Sequence, residues 1–129
     1  MPDTDPAQIH RHFEERFNAG DIDGLIALYE PDATLIAAPG SQATGLDEIR
    51  EALGGFLALQ GRITLDTKLV LTVGDLAYLA NTWLLEAKDA DGNPLSMGAT
   101  TAEVARRQGD GRWLYVIDNA WGDLAAGAV

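Results

Sequence analysis

The chain has no cysteine. Disulfide scaffolds, thiolate metal sites and cysteine nucleophiles are therefore excluded together. Basic residues are scarce: 9 Lys and Arg stand against 20 Asp and Glu, a formal net charge of −11. Nucleic acid and anionic membrane surfaces repel such a chain, because both are bound by placing Lys and Arg against phosphates. The acidity reads as a solubility device, or as a preference for neutral or cationic ligands. No apolar run approaches the roughly 20 residues of a membrane span. The N-terminal stretch MPDTDPAQIH is acidic where a secretory signal is basic and then apolar. A cytoplasmic location is the expectation. Internal repeats, low-complexity tracts and long linkers are missing too. What remains is one domain over residues 1–129, in which folding removes about two-thirds of the unfolded surface from water.

Ile9, Phe13 and Phe17 recur at a four-residue step, the stripe of a helix over 7–17. The run NAGD then predicts a helix stop and a fresh N-cap at Asp21. A short second helix carries Ile22, Leu25, Ile26, Leu28 and Tyr29, and Pro31 ends it. A brief strand over 33–38 closes at Pro39-Gly40. A third helix over 47–59 turns Ile49, Leu53, Phe56 and Leu57 inward. After Gly61 the period changes to two. Ile63, Leu65, Thr67, Leu69, Leu71 and Val73 form one face of a half-buried strand. Gly74-Asp75 turns the chain into a strand over 76–87, apolar on nearly every residue to Leu85, so both its faces are expected to be covered. Strands over 96–107 and 112–121 follow the turns DADGNP and QGDG. Helices first and strands after argue an α+β fold, mainly antiparallel, with the last four strands as a meander.

Three stretches carry a family resemblance: FNAGDIDGLIALYEPDATLIAAPG from Phe17, G-x-D-E-I-R from Gly45, and RWLYVIDNAWG from Arg112. In them the chain resembles the nuclear transport factor 2-like superfamily, and within it the small SnoaL-like and ketosteroid isomerase-like proteins. The closing IDNAWG is similar to the group labelled SgcJ/EcaC-type. The resemblance covers nearly the whole chain and implies a cone of about three N-terminal helices packed in a strongly curved sheet. It implies no single activity, since the superfamily hosts isomerases, cyclases, dehydratases, epoxide hydrolases and pure binding modules.

Ketosteroid isomerase chemistry needs a carboxylate base and an oxyanion hole made by a tyrosine and a protonated carboxylic acid. By the resemblance the base falls at Ala37 or Ala38 and the tyrosine at Phe13, and none of these can act. The third group matches Glu103. Classical steroid isomerisation is therefore not expected. Glu103 shares a face with Met97, Ala99, Thr101, Ala105 and Arg107. If that face lines the cone, burial raises its pKa and Glu103 serves as an acid or donor. Otherwise it is a rim carboxylate paired with Arg107 or Arg112. On the last strand Trp113, Tyr115, Ile117, Asn119 and Trp121 oppose Leu114, Val116, Asp118 and Ala120. The resemblance turns the first set inward, with Asn119 as a neutral hydrogen-bonding group and Trp121 as an aromatic wall. The alternatives are an Asn119 bonded to backbone and aromatics that are plain core. Tyr29 either packs on the sheet and bonds a carbonyl, or points its hydroxyl into the cavity.

The candidate residues are thus Glu103 for catalysis, with Tyr29, Thr101, Asn119 and Trp121 joining it in contact with a small hydrophobic molecule. No metal and no organic cofactor are expected. Two function classes remain. One is a ligand-binding domain, acting as a binder or as an isomerase, cyclase or lyase. The other is a non-catalytic association module. His10 and His12 are two apart, face different ways on a helix and read as surface residues. Ser41 and Ser96 have no histidine near them in sequence, and DADGNP lacks the glutamate of a calcium loop. Lastly, Leu79, Asn81, Trp83 and Leu85 oppose Tyr78, Ala80, Thr82 and Leu84. The face with Leu79, Trp83 and Leu85 is expected outside, buried against a second copy in a homodimer. Alternatively the tail LAAGAV folds over it.

Overall fold

The computed structural model describes residues 5–122. Helix α1 (Gln8–Asn18) buries the expected stripe of Ile9, Phe13 and Phe17. Gly20 ends it at φ +69°, a left-handed conformation in which the Asp21 N–H donates back to the Arg16 carbonyl at 2.9 Å. The Asp21 carboxylate accepts from the Gly24 N–H at 2.9 Å and caps α2 (Ile22–Ile26). This helix stops before Tyr29, which instead opens strand β1 (Tyr29–Ala38). Strand β2 (Ser41–Thr44) folds back on β1 across Pro39-Gly40. Its four residues bury only Ala43, too little for a readable period. Helix α3 (Leu46–Leu57) buries Ile49 and Leu53.

Strands β3 (Arg62–Val73), β4 (Leu76–Lys88), β5 (Pro94–Thr100), β6 (Ala102–Arg107) and β7 (Trp113–Asn119) complete the sheet. β5 and β6 are the two halves of the strand expected over 96–107. Both pair antiparallel with β4, and they part at Thr101. The sheet order is β2-β1-β7-β6-β4-β3, with β5 also beside β4. One pairing is parallel, that of β1 with β7. The last strand thereby returns to the first, and the expected meander becomes part of a mixed, curved sheet with the helices on its concave side. The result is the α+β cone.

Two bulges decide which side chains enter that concavity. In β3 the register against β4 slips between Thr67 and Leu69. Ile63, Leu65 and Thr67 keep to the helix side, whereas Leu69, Leu71 and Val73 turn out and are 41%, 53% and 79% exposed. The single face expected for this strand is split in two. In β7 the register against β6 slips at Val116. Trp113 and Tyr115 stay inside, Ile117 turns out and Asp118 comes in. The strand's second half therefore has the parity opposite to the one expected.

The face of β4 expected outside is also inside. Leu79 and Leu85 are fully buried and Trp83 is half-buried, while Leu76, Tyr78 and Leu84 are exposed. With apolar residues on both faces, alternation cannot tell which face is concave. The tail LAAGAV lies outside the described residues. Among the described residues no helix is long and apolar enough to cross a membrane.

Candidate functional site

The concave face and helices α1 and α3 enclose a cavity in which water centres can occupy about 60 Å³. One water takes roughly 10–15 Å³ on that measure, so the space suits one end of a small molecule. Its walls are apolar, with Phe13 and Phe17 from α1 and Leu53 and Phe56 from α3. Trp83 and Trp121 also line it, meeting edge to face at 5.3 Å between ring centroids. Their indole N–H groups donate to the carbonyls of Ala120 at 2.6 Å and Ala37 at 3.0 Å. Both rings are thus held in place and offer the cavity carbon surface.

The polar side chains of the cavity are Asn81, Thr101, Glu103, Tyr115 and Asp118. They come from the neighbouring strands β4, β6 and β7 and, for Thr101, from the break before β6, and Glu103 stands directly opposite Asp118 in the register of β6 and β7. Glu103 is held from three sides. Its Oε1 accepts from the Thr101 hydroxyl at 2.7 Å and lies 3.2 Å from His10 Nε2, while its Oε2 accepts from Asn81 Nδ2 at 3.1 Å. His10 Nδ1 lies 2.8 Å from Thr67 Oγ1, so the carboxyl ties α1 and β3 to the middle of the sheet. Asp118 differs. Its Oδ2 accepts from the Tyr29 hydroxyl at 2.5 Å, and its other oxygen makes no hydrogen bond among the described residues.

Burial raises the pKa of Asp118 most strongly, and the neighbouring Glu103 charge raises it further. The Tyr29 hydrogen bond and His10 pull in the opposite direction, and the outcome is about 7. Burial also pushes Tyr29 and Tyr115 well above the ordinary range, so both remain phenols. Among the described residues no three His, Asp or Glu side chains stand close enough to hold a metal ion.

The structure brings Thr101, Glu103 and Trp121 to the cavity. The rim pairing open to Glu103 is not made: Arg107 pairs with Asp75 at 2.8 Å and Arg112 with Asp110 at 2.7 Å. Tyr29 is buried but does not line the cavity, and its hydroxyl is directed at Asp118. Asn119 is turned away by the Val116 bulge. Its Nδ2 donates to the Gly122 carbonyl at 2.9 Å and its Oδ1 accepts from the Trp121 N–H at 3.3 Å, so the backbone-bonded alternative describes it.

Three residues of the site escape sequence reasoning. His10, read as a surface residue, is 2% exposed. It sits beside Ile9 and three before Phe13, within the width of an apolar helical stripe, which was the available signal. For Asn81 the available signal was its polarity within a largely apolar run. Asp118 had no signal, because nothing in VIDN announces a bulge.

Residues 9–116 match the family model of the SnoaL-like domain. Among solved structures, a ketosteroid isomerase-like protein from Erwinia carotovora atroseptica superposes with TM-score 0.76 at 21% identity, over 87% of this chain and 88% of that one. A chain from Xanthomonas campestris, provisionally named a calcium/calmodulin dependent protein kinase II association domain, gives 0.77 at 20% identity over 90% and 84%. A provisionally named dehydratase of the nuclear transport factor 2-like family from Streptomyces avermitilis gives 0.71 at 22% identity over 92% and 95%. Likeness at these identities shows the fold. A search of the curated proteins returns no match.

Proposed function

The chain belongs to the SnoaL-like domain family, and from that premise we propose that its cone takes up a small, largely apolar molecule and moves a proton on it through Asp118. The observation that carries this reading is a buried carboxyl at the cavity, with one oxygen unused by the protein and a pKa of about 7. Near neutral pH both of its protonation states are populated, which suits a group that accepts a proton and returns it. Tyr29 orients that carboxyl. Glu103, with all its hydrogen bonds made inside the protein, positions the floor and adds charge beside Asp118 rather than exchanging protons with a ligand.

The matching reaction class is isomerisation, cyclisation or elimination. A proton leaves a carbon next to a carbonyl for the Asp118 carboxylate and is returned to another atom, or to a departing hydroxyl. Such a transfer asks for no cofactor. A steroid does not suit the small cavity, and Phe13, Ala37 and Ala38 supply none of the groups steroid isomerisation uses.

Native mass spectrometry of the protein purified from its host identifies the molecule it carries. That molecule, incubated with the protein in D₂O, is expected to gain deuterium at carbon. Asp118→Asn is expected to slow the exchange by about 100-fold or more. Equal exchange rates in both proteins would remove Asp118 from the mechanism. The second reading, a non-catalytic association module, is favoured by the exposed apolar side chains on the convex face and by the name of the Xanthomonas neighbour. It predicts a bound molecule without any exchange, or none bound.

A further inference from the structure

We infer that the molecule entering the cone carries a hydroxyl on its buried end and donates it to Asn81 Oδ1. The inference rests on reading the cone as a ligand pocket, and it adds the polar group the ligand must bring. Asn81 is 1% exposed and lines the cavity. Its Nδ2 donates to Glu103 Oε2 at 3.1 Å. Turning the amide over would set Oδ1 against a carboxylate oxygen, so the hydrogen bond settles its orientation. In that orientation Oδ1 is buried and has no hydrogen-bond partner among the described residues. Buried acceptors are seldom left in that condition, because the group has lost water and gained nothing. What it lacks is a donor.

The surrounding protein has few donors to offer. The Thr101 and Tyr29 hydroxyls already donate to Glu103 and Asp118. The two ring nitrogens of His10 face Glu103 and Thr67. Both indole N–H groups are taken by backbone carbonyls. Two donors remain at the cavity, neither of them bonded to Asn81: Asp118 when protonated, and Tyr115, whose hydroxyl makes no hydrogen bond among the described residues. A ligand hydroxyl answers both groups, donating to Asn81 and accepting from Tyr115. A ligand carbonyl would satisfy Tyr115 and leave Asn81 orphaned. An ammonium would shed its hydration into a cavity with mainly apolar walls.

The test compares phenol with fluorobenzene, two rings of similar size of which only the first donates. Both are titrated into the full-length protein and followed by NMR, with the side-chain carbonyl carbon of Asn81 as the local probe. Apolar transfer alone favours fluorobenzene. A hydrogen bond to Asn81 is expected to reverse that order, with phenol binding roughly five- to tenfold more tightly and only phenol moving the Asn81 carbonyl resonance. Asn81→Leu is expected to restore the preference for fluorobenzene. If that variant does not fold, the two wild-type titrations still decide.

Phenol binding no better than fluorobenzene overturns the inference while leaving the pocket intact. Phenol binding better with the Asn81 carbonyl unmoved also overturns it, since the donor then goes elsewhere or a resident water already occupies Oδ1. If neither ring binds, the inference falls together with the ligand-pocket reading.

Discussion

Asp118 holds its proton more readily in the folded chain than its ordinary value of 3.8 would allow, with a pKa of about 7. Between those two values the folded state binds more protons than the unfolded one. Stability therefore falls as pH rises from about 4 to 7, and the full penalty is present above that window. Glu103 and His10 act on Asp118 by charge, and Tyr29 holds it by a hydrogen bond. Asp118→Asn keeps an acceptor for Tyr29 and is neutral at every pH. Its Tm is expected to exceed that of the wild type by more at pH 8 than at pH 5. The rest of the −11 charge is common to both proteins and cancels in the comparison. A difference in Tm that stays constant from pH 4 to 8 would mean that Asp118 does not titrate in this window.

Strand curvature and helix continuity make opposite demands on glycine. A Cβ at Gly98 in β5 would lie 2.3 Å from the Trp83 carbonyl oxygen of β4, against backbone that cannot yield without opening the sheet. Gly98→Ala is expected to destabilise by about 1–3 kcal/mol, read from urea unfolding. Gly54 in the middle of α3 has nothing within 4 Å of the same position. There Ala is expected to stabilise by about 1 kcal/mol, because only the conformational cost of glycine is removed. The caps follow the same local rules. Asp21→Ala removes the acceptor for the Gly24 N–H and is expected to cost about 1 kcal/mol. If the two glycine variants shifted stability in the same direction, sheet approach would not be the reason for Gly98.

At the scale of the molecule, Leu71 and Val73 of β3 stand directly opposite Tyr78 and Leu76 of β4 on the convex face, with Leu69 one residue pair further along, all more than 40% exposed. A patch of this kind is uncommon on a monomer. We propose that a second copy covers it through a two-fold axis. The residues that would pack there are these five, not Leu79, Trp83 and Leu85, which the cone encloses. The negative charge of each subunit opposes pairing only over a screening length of about 8 Å at physiological salt. In analytical ultracentrifugation the wild type is expected to sediment as a dimer at micromolar concentration. Leu71→Glu combined with Tyr78→Glu is expected to give a monomer with unchanged far-ultraviolet circular dichroism. A wild type already monomeric would remove the pairing.

The residues by themselves determined the helical stripe through Ile9, Phe13 and Phe17, the stop and recapping at NAGD, the switch to a period of two after Gly61, and so the α+β class. Those are local signals, since caps and periodicities are settled by side chains a few positions apart. Glu103 and Thr101 were legible for the same reason, since the period of two runs unbroken through the gap between β5 and β6. The parity of β3 beyond Lys68 and of β7 beyond Val116 was not legible, because a bulge arises where neighbouring strands of a curved sheet lose register. The parallel return of β7 onto β1 sets Tyr29 against Asp118 across 89 residues, and the packing of α1 sets His10 against Glu103 across 93. Contacts at that separation leave no mark in the order of the chain. Only the closing of the cone decided that Asp118, and not Asn119, would face its interior.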